Sequence, residues 1–178
     1  KMEKDIKDLK VLIDEKTLYK RIKEVADEIN KSYDNSKVLN IICVLRGAVM
    51  FFTELSKYLK MPVKMEFVSL SSYGTNEKSS GKVKTLNLHL PSFNNEDVLI
   101  VEDIVDTGLT LDFLMKFVKH NCSAKSVKLA VLFDKKCARK FDIEPDFCAF
   151  EIDDKFIVGF GLDYCELYRN INYIGYFE

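Results

Sequence analysis

Apolar residues recur along this chain with two different periods. Leu18, Ile22, Val25, Ala26 and Ile29 fall at helical spacing and predict an amphipathic helix over residues 15–33. Residues 38–45 form an almost unbroken apolar run with β-branched members, the pattern of a strand covered on both faces. Arg46-Gly47 interrupts that run, and residues 50–59 read as a second helix that stops before Pro62. Residues 63–70, 98–101 and 127–133 read as further strands, with a helix over 110–119. Residues 83–90 alternate towards their end (Leu86, Leu88, Leu90), as a half-exposed strand does. Residues 147–152, 156–161 and 173–177 are shorter strand candidates. Strands alternating with helices predict an α/β fold, a mainly parallel sheet flanked by helices. The late strands are expected to form a small subdomain over its carboxyl edge. One domain over 1–178 is expected, with a core at about 35–150 and a hood made from the N-terminal segment and residues 151–178.

Composition narrows the class. The chain has 178 residues, 47% apolar and 31% charged, enough for one ordinary hydrophobic core. A net charge of −1 without a basic block gives no footing for nucleic acid. The five cysteines are odd in number and lack a Cys-x-x-Cys pair, which fits reduced thiols better than a disulfide framework or a zinc site. There is no apolar run of bilayer length, and Lys1-Met2-Glu3-Lys4-Asp5 has no signal-peptide pattern. The expected location is the cytoplasm, with no membrane partner. His89 and His120 have ordinary surface readings, and Cys43 and Cys148 sit in apolar runs and are expected to be buried.

The chemistry is concentrated in Val98-Leu99-Ile100-Val101-Glu102-Asp103-Ile104-Val105-Asp106-Thr107-Gly108-Leu109-Thr110. A strand-length apolar run ends in two adjacent carboxylates. A short loop with a third carboxylate, a glycine and two threonines follows, and then a helix begins. Ligands of open α/β sheets bind just beyond the carboxyl ends of the strands. Loop amides and a helix N-terminus attract phosphate. The neighbouring carboxylates suit ribose hydroxyls or a magnesium ion instead. Phosphate cradle and sugar or metal clamp side by side suit a sugar phosphate.

This run resembles the 5-phosphoribosyl-1-pyrophosphate (PRPP) motif of the type I phosphoribosyltransferases: two acidic residues, two apolar ones, then Asp-Thr-Gly, in order. Four further segments resemble the hypoxanthine-guanine phosphoribosyltransferase family within that class, so the likeness runs from about Val38 to Arg169. Cys43-Val44-Leu45-Arg46-Gly47-Ala48 resembles the family's pyrophosphate loop, which usually carries lysine where Arg46 stands and tends to have a cis peptide there. Ser71 to Gly81, anchored by Ser72-Tyr73, resembles the mobile lid. Lys135 follows a strand, at the position of the family's purine-oxygen contact. Asp154-Lys155-Phe156-Ile157-Val158-Gly159-Phe160-Gly161-Leu162-Asp163-Tyr164 resembles the purine-recognition segment. Without the resemblance, Arg46 reads as a solvated turn residue and Phe156 as core.

The resemblance implies a reaction joining a 6-oxopurine to PRPP. Asp106 is the implied proton acceptor. The amides of Asp106, Thr107, Gly108, Leu109 and Thr110 would hold the 5′-phosphate, and Glu102 and Asp103 the ribose hydroxyls, partly through Mg2+. Arg46, Gly47 and Arg169 would meet the pyrophosphate, with Asp163 on the metal. Lys135, Lys155, Phe156 and Ile157 would hold the purine, and the family's dimers or tetramers imply a homo-oligomer. Lys136 and Arg139 receive no role at this level. The competing reading is a PRPP-binding regulatory protein of the same fold with little catalysis.

Overall fold

The computed structural model describes residues 5–70 and 88–178. Five strands form a parallel sheet: β2 (Leu39–Leu45), β3 (Val63–Ser69), β4 (Asp97–Val105), β5 (Ser126–Asp134) and β6 (Phe147–Glu151), in the spatial order β3-β2-β4-β5-β6. Three helices flank it: α1 (Glu15–Ser32), α2 (Val49–Ser56) and α3 (Leu109–Asn121). A second, antiparallel sheet has the order β1-β8-β7, from β1 (Lys10–Ile13), β7 (Ile157–Val158) and β8 (Ile174–Tyr176).

The continuous apolar runs have a simple cause. Alternate residues of the central strands feed two separate cores. Leu39, Ile41 and Cys43 of β2, with Leu99 and Val101 of β4, pack against Leu18, Ile22 and Ile29 of α1 and Phe51 and Leu55 of α2. Ile42 and Val44, with Val98 and Ile100, pack against Leu111, Leu114 and Val118 of α3. Each fully buried aliphatic side chain contributes about 1.5–3 kcal/mol. The middle of the sheet is therefore the rigid part, and its strand ends are free to carry chemistry.

Local signals explain the boundaries. Asp14 caps α1, its carboxylate accepting the Thr17 amide at 2.8 Å. Arg21 of α1 donates to the carbonyls of Cys148 and Ala149 at 2.9 Å each, fastening β6 to the helix. The edge-to-face pair of Tyr19 and Phe160 (5.7 Å between ring centroids) joins α1 to the turn after β7.

Four expectations change. The motif strand does not stop at Val101, because backbone pairing to β5 continues through Glu102↔Val131 and Ile104↔Phe133. The candidate over 147–152 pairs parallel with β5, so it extends the main sheet and is not part of a subdomain. Of the candidate over 156–161 only Ile157–Val158 is strand, since Gly159, Phe160 and Gly161 all turn to positive φ. Strand β1, only four residues long, carries too little pattern to be seen in sequence. Most of the candidate over 83–90 lies outside the described residues, and residues 88–90 are not strand. Phe51 and Phe52 of α2 face the core, whereas Val49 is exposed.

All five cysteines are free; Cys43 and Cys122 are buried, Cys148 is half-buried, and Cys137 and Cys165 are exposed. Burial pushes the Cys43 thiol up to about 12 and the Cys148 thiol to about 11. Titration of the native protein with a thiol reagent near neutral pH is expected to label two cysteines, Cys137 and Cys165, quickly. Equally fast labelling of Cys43 would contradict the packing described for β2.

Candidate active site

The cleft lies at the carboxyl ends of β2 and β4. It encloses about 410 Å³ and is lined by Gly47, Glu102, Asp103, Asp106, Thr107, Gly108, Leu109 and Thr110, with Val44, Leu45, Leu70, Ile104 and Leu111 as its apolar wall. Eight of the residues predicted from sequence therefore meet in one place.

Two loops form the floor. The first leaves β2 through a cis peptide between Leu45 and Arg46. Gly47 follows, and a Cβ there would sit 1.6 Å from Asp103 Oδ2. Glycine is thus required for the carboxylate to lie on the loop backbone. The second, residues 106–110, turns into α3 at Gly108, which has φ +87° and caps the helix with its carbonyl accepting the Asp112 amide at 2.9 Å. Thr107 Oγ1 accepts from the Leu109 amide at 3.4 Å, folding the loop over the helix N-terminus.

Glu102 and Asp103 are half-buried and adjacent. Burial first, and then the like charge of Asp103, push the Glu102 carboxyl well above the usual range. Burial also raises Asp103, against the opposing pull of hydrogen bonds to Glu102 and the Ile104 amide and of the Arg169 charge. Among the described residues no three Asp, Glu, His or Cys side chains converge as a self-contained metal site. Two carboxylates whose anions are disfavoured where they stand nevertheless fit a magnesium ion that keeps water and substrate oxygens for its other positions.

The remaining predicted site residues, among those the structure describes, do not line the cleft. Arg169 donates through Nη1 to the Gly161 carbonyl at 2.7 Å and pairs with Asp163 at 3.0 Å and Glu166 at 3.5 Å. Arg46 pairs with Glu166 at 2.7 Å, so Glu166 links both arginines. Gly161 has φ +102°, and a Cβ on it would meet the Gly47 carbonyl oxygen at 1.9 Å. Lys135 pairs with Asp154 at 2.5 Å, a contact that holds the ammonium above the usual lysine range. Its amide donates to the Val105 carbonyl at 3.0 Å. Phe156 is 59% exposed, so it is not core; its ring meets the edge of Tyr164 at 5.9 Å. Lys155 lies over the Tyr176 ring, and Ile157 is buried opposite Tyr176. Ser72 and Tyr73 of the candidate lid lie outside the described residues.

Sequence reasoning assigned no role to Gly161, Glu166, Asp154 or Arg139. The first three fall in or beside the recognised segment, but only folding shows their partners. Arg139 looks like a surface charge in sequence, yet its side chain is 12% exposed and paired with Asp134.

Sheet order and cleft give the type I phosphoribosyltransferase fold. The family model for the phosphoribosyl transferase domain matches residues 8–165. A hypoxanthine-guanine phosphoribosyltransferase of Bacillus subtilis is 44% identical over 166 residues, covering 93% of this chain and 91% of the relative. One from Streptococcus thermophilus is 43% identical over 174 residues, covering 98% and 94%. A solved hypoxanthine phosphoribosyltransferase from Staphylococcus aureus is similar with a TM-score of 0.88 at 34% identity, covering 100% of this chain and 97% of that one. The chain belongs to the hypoxanthine-guanine phosphoribosyltransferase family.

Glu102 gives a test of the electrostatics. A carboxyl raised in the folded protein holds its proton there more tightly than in the unfolded chain. Stability therefore falls as pH rises from the ordinary glutamate range towards the raised value. Glu102→Gln is expected to melt like the parent protein near pH 4 and to be the more stable of the two, without ligand, near pH 8. Parallel thermal melts across that range check it. A variant less stable at every pH would mean that the carboxylate is held by favourable contacts.

Proposed function

We propose that this protein is a purine-salvage enzyme that transfers the 5-phosphoribosyl group from PRPP to hypoxanthine, guanine or both, releasing IMP or GMP and pyrophosphate. The observation that carries this reading is the cleft itself. Paired carboxylates, a phosphate-shaped loop and a side-chain-free Gly47 lie around one space of about 410 Å³. Family membership supports it.

In this reading the amides of residues 106–110 and the N-terminus of α3 bind the 5′-phosphate, with the Thr107 and Thr110 hydroxyls assisting. Glu102 and Asp103 orient the ribose through its hydroxyls. The bond between the anomeric carbon and the pyrophosphate oxygen breaks as the carbon bonds to the purine nitrogen. Positive charge grows on the ribose and negative charge on the leaving group. Arg46, Arg169 and the backbone at Gly47 stabilise that leaving charge. Magnesium, held on Glu102 and Asp103 and towards Asp163, would add positive charge against the pyrophosphate. Asp106 takes the proton that the purine gives up. Lys135, kept protonated by Asp154, donates to the 6-oxo group and so disfavours a 6-amino group, which offers it a second donor. Phe156 supplies an exposed ring face for the base, and the Lys155 and Ile157 backbone reads its edge.

Two further parts of the reading concern setting. Among the described residues no helix is long and apolar enough to cross a membrane, which is consistent with work in the cytoplasm. Exposed Val49, Met65 and Phe67 (36%, 46% and 51%) give apolar surface for association into a homodimer or homotetramer.

A steady-state assay with PRPP, magnesium and each of hypoxanthine, guanine, xanthine and adenine tests the proposal. Turnover with hypoxanthine or guanine and none with adenine is expected. Asp106→Asn is expected to lower kcat by about 10²–10⁴-fold while PRPP affinity stays within about threefold. Tight PRPP binding with no nucleotide formed from any base would move the reading to a PRPP-responsive regulatory protein. Near-normal turnover of Asp106→Asn would remove the proton-transfer role.

A further inference from the structure

We propose that Arg139 is a positioning residue, which holds loop 106–110 in the shape that receives the 5′-phosphate and ties it to the strand end carrying Lys135. One guanidinium reaches three separate segments. Nη2 pairs with Asp134, the last residue of β5, whose side chain is 2% exposed. Nη1 donates to the Ile143 carbonyl. Nε donates to the Asp106 carbonyl at 3.2 Å. The next two amides continue the attachment: Lys140 and Phe141 both donate to the Thr107 carbonyl, at 3.0 and 3.1 Å.

The same segment shapes the glycine of the loop. A Cβ on Gly108 would meet Ile143 Cγ2 at 2.6 Å and Arg139 Cδ at 3.3 Å. The stem of Arg139 thus packs under the residue that turns the loop into α3. Asp106 is met at its backbone carbonyl and not at its carboxylate, and no other contact reaches a side chain assigned to bond-making, so the role is geometric. A planar fork with donors at three corners is needed to span Asp134, Ile143 and Asp106 together, and a lysine ammonium meets one such demand. The amide of Lys135, four residues earlier, is held separately by the Val105 carbonyl, so losing the Arg139 fork leaves the purine contact in place.

The inference rests on reading 106–110 as the phosphate loop, and its test separates the two. Nucleotide formation by the parent protein is measured first. Then KM for PRPP, KM for hypoxanthine and the Kd of IMP, which keeps the 5′-phosphate, are measured for Arg139→Lys. A rise of about tenfold or more in KM for PRPP, a matching loss of IMP affinity and a purine KM within about twofold are expected. A variant with a lower Tm but unchanged PRPP and IMP constants would show a plain structural brace and overturn the proposal. Should Arg139→Lys fail to fold, the double variant Asp134→Leu/Arg139→Met removes the buried ion pair whole, a change that proteins often tolerate. It is expected to show the same PRPP-selective loss, and unchanged constants there overturn the proposal equally. A parent protein that forms no nucleotide and binds neither PRPP nor IMP would sink the loop reading and this inference together.

Discussion

The site depends on one close approach. The Asp103 carboxylate lies against Gly47, and the Gly47 carbonyl in turn lies against Gly161. Neither glycine has room for a Cβ. This stack brings together three parts of the chain that sequence holds far apart: the end of β4, the loop after β2 and the turn after β7.

The parallel sheet makes that approach possible. Strands β2 and β4 are buried on both faces and paired in register from Leu39↔Asp97 to Cys43↔Val101, so their carboxyl ends arrive at a fixed spacing. The strand ends and the loops beyond them can then carry groups that a core would not accept, such as the adjacent acids at the end of β4 whose charge burial disfavours. Each loop is braced from outside the cleft. Arg169 bonds the Gly161 carbonyl, Glu166 joins Arg46 to Arg169, and Arg139 bonds the Asp106 carbonyl. The exposed Arg46–Glu166 contact adds little stability by itself, whereas the Arg139–Asp134 pair is buried. Their effect is on where the loops sit.

Much of this was legible in the chain. The run from Val98 to Thr110 contains strand, carboxylates, loop and helix start in order, and residues around it fell into one cleft. Helix α1 was visible from five apolar positions at helical spacing. What stayed hidden depends on pairing between distant segments. Glu102 reads as the end of a strand by composition, yet its backbone continues in the sheet because β5 continues beside it. Residues 147–151 look the same whether they join the main sheet or the small one, since short apolar strands do not name their neighbours. Arg139 stands in a charged stretch, and only the buried carboxylate of Asp134 across from it reveals a brace.

The stack at Gly161 is the most direct test of the account. The measurement is the Kd for PRPP with magnesium in Gly161→Ala, with circular dichroism and Tm confirming a folded protein. The added methyl would meet the Gly47 carbonyl and must push the loop after β2 off Asp103. PRPP binding weakened by about tenfold or more is expected in a variant that keeps its fold. A folded Gly161→Ala that binds PRPP within about twofold of the parent protein would contradict it.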